Sequence, residues 1–333
     1  MILRCLAAML VALALTLCLT PIVIMVAKKL KLRQTVLQYV DNHMSKSGTP
    51  TMGGVAFTAS SCISALIFFR EDKTLAVLIL VVTLGYGVVG FLDDFIKVWF
   101  KQNKGLSAWQ KIVFQTAVAL IVAIFAYKSP LVGDEQFLPI TFRTFSLKAF
   151  AVPYYILVFL AASNSVNLID GLDGLAAGVT KNYLICFIAV IAVAERMLGV
   201  NVANGTEIEN VAVFVCSAIG ALIAFNCFNA YPAKIFMGDT GSLALGGMIA
   251  GLSVVTKTTL ILPIIGIMYV ITALSVIIQV AHYKRTKKRV FLMSPLHHHF
   301  ERKGVHENRI VAVYNTVTLI AGGGLCCLIL LFA

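Results

Sequence analysis

Ten stretches of this chain are apolar over a length near the ~20 residues that a helix needs to cross a bilayer. They run at approximately 3–27, 53–69, 75–92, 109–127, 147–163, 175–194, 209–228, 241–256, 259–281 and 310–332. Composition agrees: 59% of the 333 residues are hydrophobic and 13% charged, against roughly half and a quarter in a soluble domain. Too little polar surface remains to coat a water-soluble globule. The expected fold is all-α: a polytopic integral membrane protein with about ten transmembrane helices, forming a single catalytic domain over 1–333.

A net charge of +12 is compatible with nucleic-acid binding, but its distribution points to a membrane. Eighteen of the 27 Lys and Arg fall in the loops after spans 1, 3, 5, 7 and 9, and eight on the other side. This bias places the first set of loops in the cytoplasm and both termini in the periplasm. The run after Arg4 continues apolar to Ala27, too long for a signal-peptide core, and reads as a retained first helix. The eight cysteines lie in or at the ends of apolar runs without a C-x-x-C pair, so they read as packing residues.

One span, VVTLGYGVVGFLDDFIKVW from Val81 to Trp99, carries two competing signals. GYGVVG matches the dinucleotide-binding glycine pattern, but that pattern needs a strand, a turn and a helix. Inside a membrane span such glycines let helices approach closely. The other signal is the pair Asp93 and Asp94 at the inner end of the span, with Lys97 at i+4 and i+3. A local ion pair is the simplest explanation. Carboxylates near a helix C-terminus nevertheless oppose the helix dipole, so a metal or a reaction is a reasonable cause.

Further polar clusters fall on the same side. KSGTPTMGG, Lys46 to Gly54, reads as a hydroxyl-lined start of span 2, with Thr49 or Thr51 as N-cap. In NSVNLIDGLDGLAAG, Asn164 to Gly178, the three-residue spacing of Asn167, Asp170 and Asp173 predicts one side of a helical turn. Polar groups at membrane depth are expensive unless they line a functional cavity. In NAYPAKIFMGDTGSLALGG, Asn229 to Gly247, Asp239 makes a good N-cap for span 8, or part of a small-molecule pocket. In SPLHHHFERKG, Ser294 to Gly304, three consecutive histidines cannot face one metal; with the Arg and Lys around them they suit an anion. Carboxylates beside Lys, Thr and Asn fit Mg²⁺ held with a substrate phosphate. There is no Walker loop. The residues themselves therefore point to Mg²⁺-dependent phosphoryl transfer at the cytoplasmic membrane face.

DDF-I-K at Asp93 to Lys97, NLIDGLDG at Asn167 to Gly174, FMGDTGS at Phe236 to Ser242 and PLHHHFE at Pro295 to Glu301 resemble the polyprenyl-phosphate N-acetylhexosamine-1-phosphate transferases. KSGTPTMGG and the three histidines narrow the resemblance to the bacterial phospho-N-acetylmuramoyl-pentapeptide transferase family, along the whole chain. The resemblance implies a multi-pass enzyme of the bacterial cell inner (cytoplasmic) membrane, surrounded by membrane lipids. Its substrates would be undecaprenyl phosphate and UDP-N-acetylmuramoyl-pentapeptide, and its products UMP and lipid I. It implies Mg²⁺ as cofactor with Asp239 as its ligand, and Asp93, Asp94, Asp239 and His298 as catalytic residues. Lys46, Thr51, Lys97, Asn167, Asp170, Asp173, Asn229, Phe236, Gln279 and His299 would bind substrate. No nucleic-acid partner is expected; the oligomeric state is not fixed, and a homodimer is compatible with the sequence. The alternatives are a sister enzyme transferring N-acetylglucosamine-1-phosphate, a non-enzymatic carrier of lipid-linked sugars, and a structural membrane scaffold.

Overall fold

The computed structural model describes residues 1–30, 48–100, 105–139, 143–198 and 205–332. Its helices are α1 (Ile2–Lys29), α2 (Gly54–Phe68), α3 (Thr74–Trp99), α4 (Ala108–Lys128), α5 (Ala151–Ile169), α6 (Leu175–Leu198), α7 (Gly205–Asn229), α8 (Gly238–Val255), α9 (Leu262–Ile265), α10 (Ile267–Thr286), α11 (Leu296–Arg302) and α12 (Glu307–Phe332). Among the described residues, nine helices are long and apolar enough to cross a membrane, and α2 adds a shorter apolar one. These ten coincide with the ten apolar runs. The protein is an all-α polytopic membrane protein. Among the described residues the one small sheet is an antiparallel hairpin, β1 (Glu135–Leu138) with β2 (Arg143–Ser146). The hairpin is tied to the α8–α9 connection, with Phe137 N donating to Lys257 O at 2.8 Å.

Helix α8 is the axis of the bundle. In its span 89% of residues are buried, against 17% in α1. Its sequence explains why: glycine, alanine and serine let α2, α3 and α5 come in backbone to backbone. A Cβ on Gly54 of α2 would stand 2.2 Å from Gly241 N, and one on Gly90 of α3 would stand 2.1 Å from Asp239 O. The GYGVVG glycines thus serve packing, with Gly85 against Val118 of α4 and Gly87 against Ala244 of α8. The outward face of α3 presents Val81, Leu84, Val88, Phe91 and Phe95, large apolar groups suited to lipid.

Several local expectations change. Span 5 continues beyond residue 163 to Ile169, because its late polar residues find partners inside the bundle; Asn167 Nδ2, for example, donates to Ser242 Oγ of α8 at 2.9 Å. Span 9 is broken, since Pro263 opens the short α9 and Gly266 closes it before α10 begins. Neither Thr49 nor Thr51 caps α2. Gly53 is the N-cap, and the amides of Gly53 and Gly54 donate to Phe236 O and Met237 O, each at 2.9 Å. The orphan donors of the helix start are thereby satisfied by a loop 180 residues away in sequence, more or less. Asn167, Asp170 and Asp173 do not share a helical face: α5 ends at Ile169, leaving Asp170 at its C-cap and Asp173 in the following turn.

Candidate active site

The end of α3, the start of α4, the end of α5 and the start of α8 converge on three carboxylates. Oxygens of Asp93, Asp94 and Asp239 lie within 4.8 Å of one another. Asp239 was expected as an N-cap, but Met237 holds that position and Asp239 sits in the first turn of α8. The capping role falls to Asp94. Its carboxylate accepts from Asp239 N at 3.2 Å, Thr240 N at 2.9 Å and Thr240 Oγ1 at 2.7 Å. A charge badly placed at the C-terminal end of α3 is well placed at the N-terminus of α8. The close approach requires Gly238, whose φ is +74°; a Cβ there would meet Asp94 Oδ2 at 2.5 Å and Thr51 Oγ1 at 2.9 Å.

Asp93 is fully buried. Its Oδ1 accepts from Leu106 N at 2.8 Å, where the chain folds back toward α4. Its Oδ2 pairs with Lys97 Nζ at 2.6 Å and Lys111 Nζ at 3.2 Å. The same two ammonium groups reach Asp239 Oδ2, at 3.0 Å and 2.5 Å respectively. Asn167 Nδ2 donates to Asp239 Oδ1 and to Ser242 Oγ, both at 2.9 Å. Asp239 is therefore gripped on one oxygen by lysines and on the other by an amide.

Lys111 is one of the eighteen Lys and Arg that the sequence assigns to loops on one side, with no further role. A signal was available: a lysine in the first turn of α4 opposes the helix dipole, as the aspartates do at the end of α3. The two misplaced charges compensate each other. Ser107 and Gln110 form a capping box that fixes this turn.

Of the other expected residues, most bond to the backbone of neighbouring loops. Backbone bonds join the Thr51 segment to the Phe236 loop, with Phe236 N donating to Pro50 O at 2.8 Å. Asp173 and Asn229 are buried and hold backbone: Ala233 N donates to Asp173 Oδ2 at 3.0 Å, and Gly174 N to Asn229 Oδ1 at 3.2 Å. Asp170 is raised to about 8 by burial, reinforced by the carboxylates of Asp239, Asp94 and Asp173. Gln279 accepts from Val290 N and Phe291 N at 3.0 and 2.9 Å, and so shapes the loop before α11. The three histidines fan out as helical geometry demands. His297 is buried against Gly171. His298 Nδ1 donates to Glu301 Oε2 at 2.9 Å. His299 Nδ1 accepts from Leu292 N at 3.1 Å, and burial with the nearby Lys303 charge lowers its pKa. Lys46 lies outside the described residues.

The donor set fits a hard divalent cation, since carboxylate oxygens from two helices meet at one point beside hydroxyl and amide groups. Comparison with known proteins narrows the class. Residues 76–257 match the profile of glycosyl transferase family 4. Residues 46–57 match signature 1 of the phospho-N-acetylmuramoyl-pentapeptide-transferases. The chain is 46% identical over 312 residues to the phospho-N-acetylmuramoyl-pentapeptide-transferase of Thermoanaerobacter sp. (strain X514), covering 93% of this chain and 94% of that one. It is 43% identical over 313 residues to that of Desulfitobacterium hafniense (93% and 93%) and 41% over 312 residues to that of Clostridium novyi (93% and 92%). The chain belongs to this family. It is a glycosyl-1-phosphate transferase of the membrane, an enzyme of cell-wall synthesis, and the carrier and scaffold alternatives fall away. The signature over 46–57 also favours the muramoyl-pentapeptide family over the N-acetylglucosamine sister enzymes.

Proposed function

We propose that the aspartate centre is where this transferase moves phospho-N-acetylmuramoyl-pentapeptide from its UDP-activated precursor to undecaprenyl phosphate. UMP leaves and lipid I forms. The observation that supports this reading most is the convergence of Asp93, Asp94 and Asp239 with Lys97 and Lys111 at one end of membrane-spanning helices. A lipid phosphate and a water-soluble nucleotide can meet only near such an end, and both are anionic. The loop charge bias supports a cytoplasm-facing site in the bacterial inner membrane with periplasmic termini.

Asp239 is the residue that would hold Mg²⁺, with Asp94 occupied in capping α8 and Asp93 beside it anchored by Leu106 N, Lys97 and Lys111. Mg²⁺ bound there supplies Lewis-acid stabilisation of the pyrophosphate charge. Lys97 and Lys111 hold the aspartates and present positive charge to the transferred phosphoryl group. Direct attack by the lipid phosphate is favoured over an aspartyl intermediate. Asp93 is ion-paired on one oxygen and hydrogen-bonded on the other, a poor state for a nucleophile. The attacking phosphate monoester loses its second proton near pH ~6, so no strong base is needed. His298 and His299, with Lys46, Thr51, Asp170 and Phe236, would line the nucleotide and sugar path.

The test is a transfer assay on detergent-purified protein with undecaprenyl phosphate, Mg²⁺ and either UDP-N-acetylmuramoyl-pentapeptide or UDP-N-acetylglucosamine. UMP release with the pentapeptide substrate alone, lost on chelation, is expected. Release with N-acetylglucosamine instead would reassign the sugar. Silence with both from folded protein would overturn the reading.

A further inference from the structure

One helical turn in from the aspartate centre lies a polar knot that the chemistry above does not use. Gln115 of α4 is fully buried. Its Oε1 accepts from Asn164 Nδ2 at 2.8 Å and from Ser163 Oγ at 3.4 Å, both on α5. Its main-chain oxygen accepts from Tyr86 OH of α3 at 3.1 Å. The amide orientation is settled by Asn164, whose Nδ2 also donates to Leu160 O. With Oε1 turned toward α5, Gln115 Nε2 is left buried without a partner. A leucine there would avoid that penalty, so a tie needed only for packing has no reason to be a glutamine. Buried polar groups at membrane depth usually mark function.

The spacing shows what the knot can control. Gln115 is four residues after Lys111, and Asn164 three before Asn167, so each lies one turn from a residue that grips Asp239. Lys111 and Asn167 take opposite oxygens of Asp239. A sliding of α4 against α5 would release one of them. We propose that Gln115 is a positioning residue: through Asn164 it fixes the register of α4 on α5, so that Lys111 and Asn167 hold Asp239 in its reactive orientation.

This inference rests on the phosphotransfer reading. The test is UMP release by Gln115→Leu and Asn164→Ala in the full-length protein, with kcat, KM for the nucleotide and thermal midpoint measured together. A fall in kcat of about tenfold or more is expected, the range seen when partners of a ligand are lost, with KM within about twofold and the midpoint unchanged. In a Lys111→Met background the added loss from Gln115→Leu should shrink to about twofold, because the two act as a unit. Parental kcat in Gln115→Leu, or a loss that simply multiplies with that of Lys111→Met, overturns the proposal. If Gln115→Leu fails to fold, Asn164→Ala decides by the same criteria. A parent protein without UMP release would instead overturn the underlying reading and take this inference with it.

Discussion

The two ends of α3 place carboxylates in opposite ways. At its N-terminus, Glu207 of α7 accepts from Thr74 N at 3.0 Å and Leu75 N at 2.9 Å. This charge sits where the helix dipole wants it, in the first turn of its own helix as well. No nearby lysine is required to explain it. At the C-terminus, Asp93 and Asp94 sit where the dipole repels them, and the fold recruits Lys97, Lys111 and the start of α8 to hold them. The first end is arranged for stability. The second gathers charge that the α3 dipole opposes, and its compensation reaches across two other helices, α4 and α8.

This contrast predicts that changes at the two ends separate activity from stability. Asp239→Asn should lower kcat by about 10³, the upper range for removing one electrostatic element of a transition-state site, without unfolding the protein. Mn²⁺ titration followed by electron paramagnetic resonance should show a tightly bound ion in the parent and its loss in the variant; near-normal turnover would refute the assignment. Gly238→Ala adds a methyl where Asp94 Oδ2 would stand 2.5 Å away and forces a +74° φ on a residue with a side chain. It should lose about 10²-fold in kcat, with the protein still inserted, as checked by gel filtration and turnover. Lys111→Met should reduce kcat by about ten- to a hundredfold, in keeping with loss of a partner that orients a ligand. The smallest effect belongs to the other end: Glu207→Gln should lower stability by about 1 kcal/mol in a thermal or denaturant series, with turnover per folded molecule within about twofold. A large fall in turnover there would erase the distinction between the ends.

Much of this could be read before any coordinates. The ten spans followed from hydropathy, and the paired aspartates stood out because their placement against the dipole needed a cause. What failed depended on tertiary partners. The spacing of Asn167, Asp170 and Asp173 assumed a helix that in fact stops at Ile169, where two Asp-Gly steps turn the chain. Asp239 looked like a cap because nothing in its neighbourhood reveals that Asp94, far away in sequence, already caps that helix. Lys111 was hidden among loop cations because its meaning lies in where the first turn of α4 points. The break at Gly266 could have been suspected from the preceding Pro263, but a continuous apolar run masked it.

The glycine-lined seam between α2, α3 and α8 has a consequence for how the chain can vary. At Gly54, Gly90 and Gly238 even one added carbon would fall within 2.5 Å of backbone or of Asp94. A side chain at any of the three would push helix backbones apart or shift Asp94, so the packing of the seam and the placing of the aspartates cannot vary separately. The fold's tolerance for change is therefore lowest where α8 meets its neighbours, in the same turn of chain that carries Asp239.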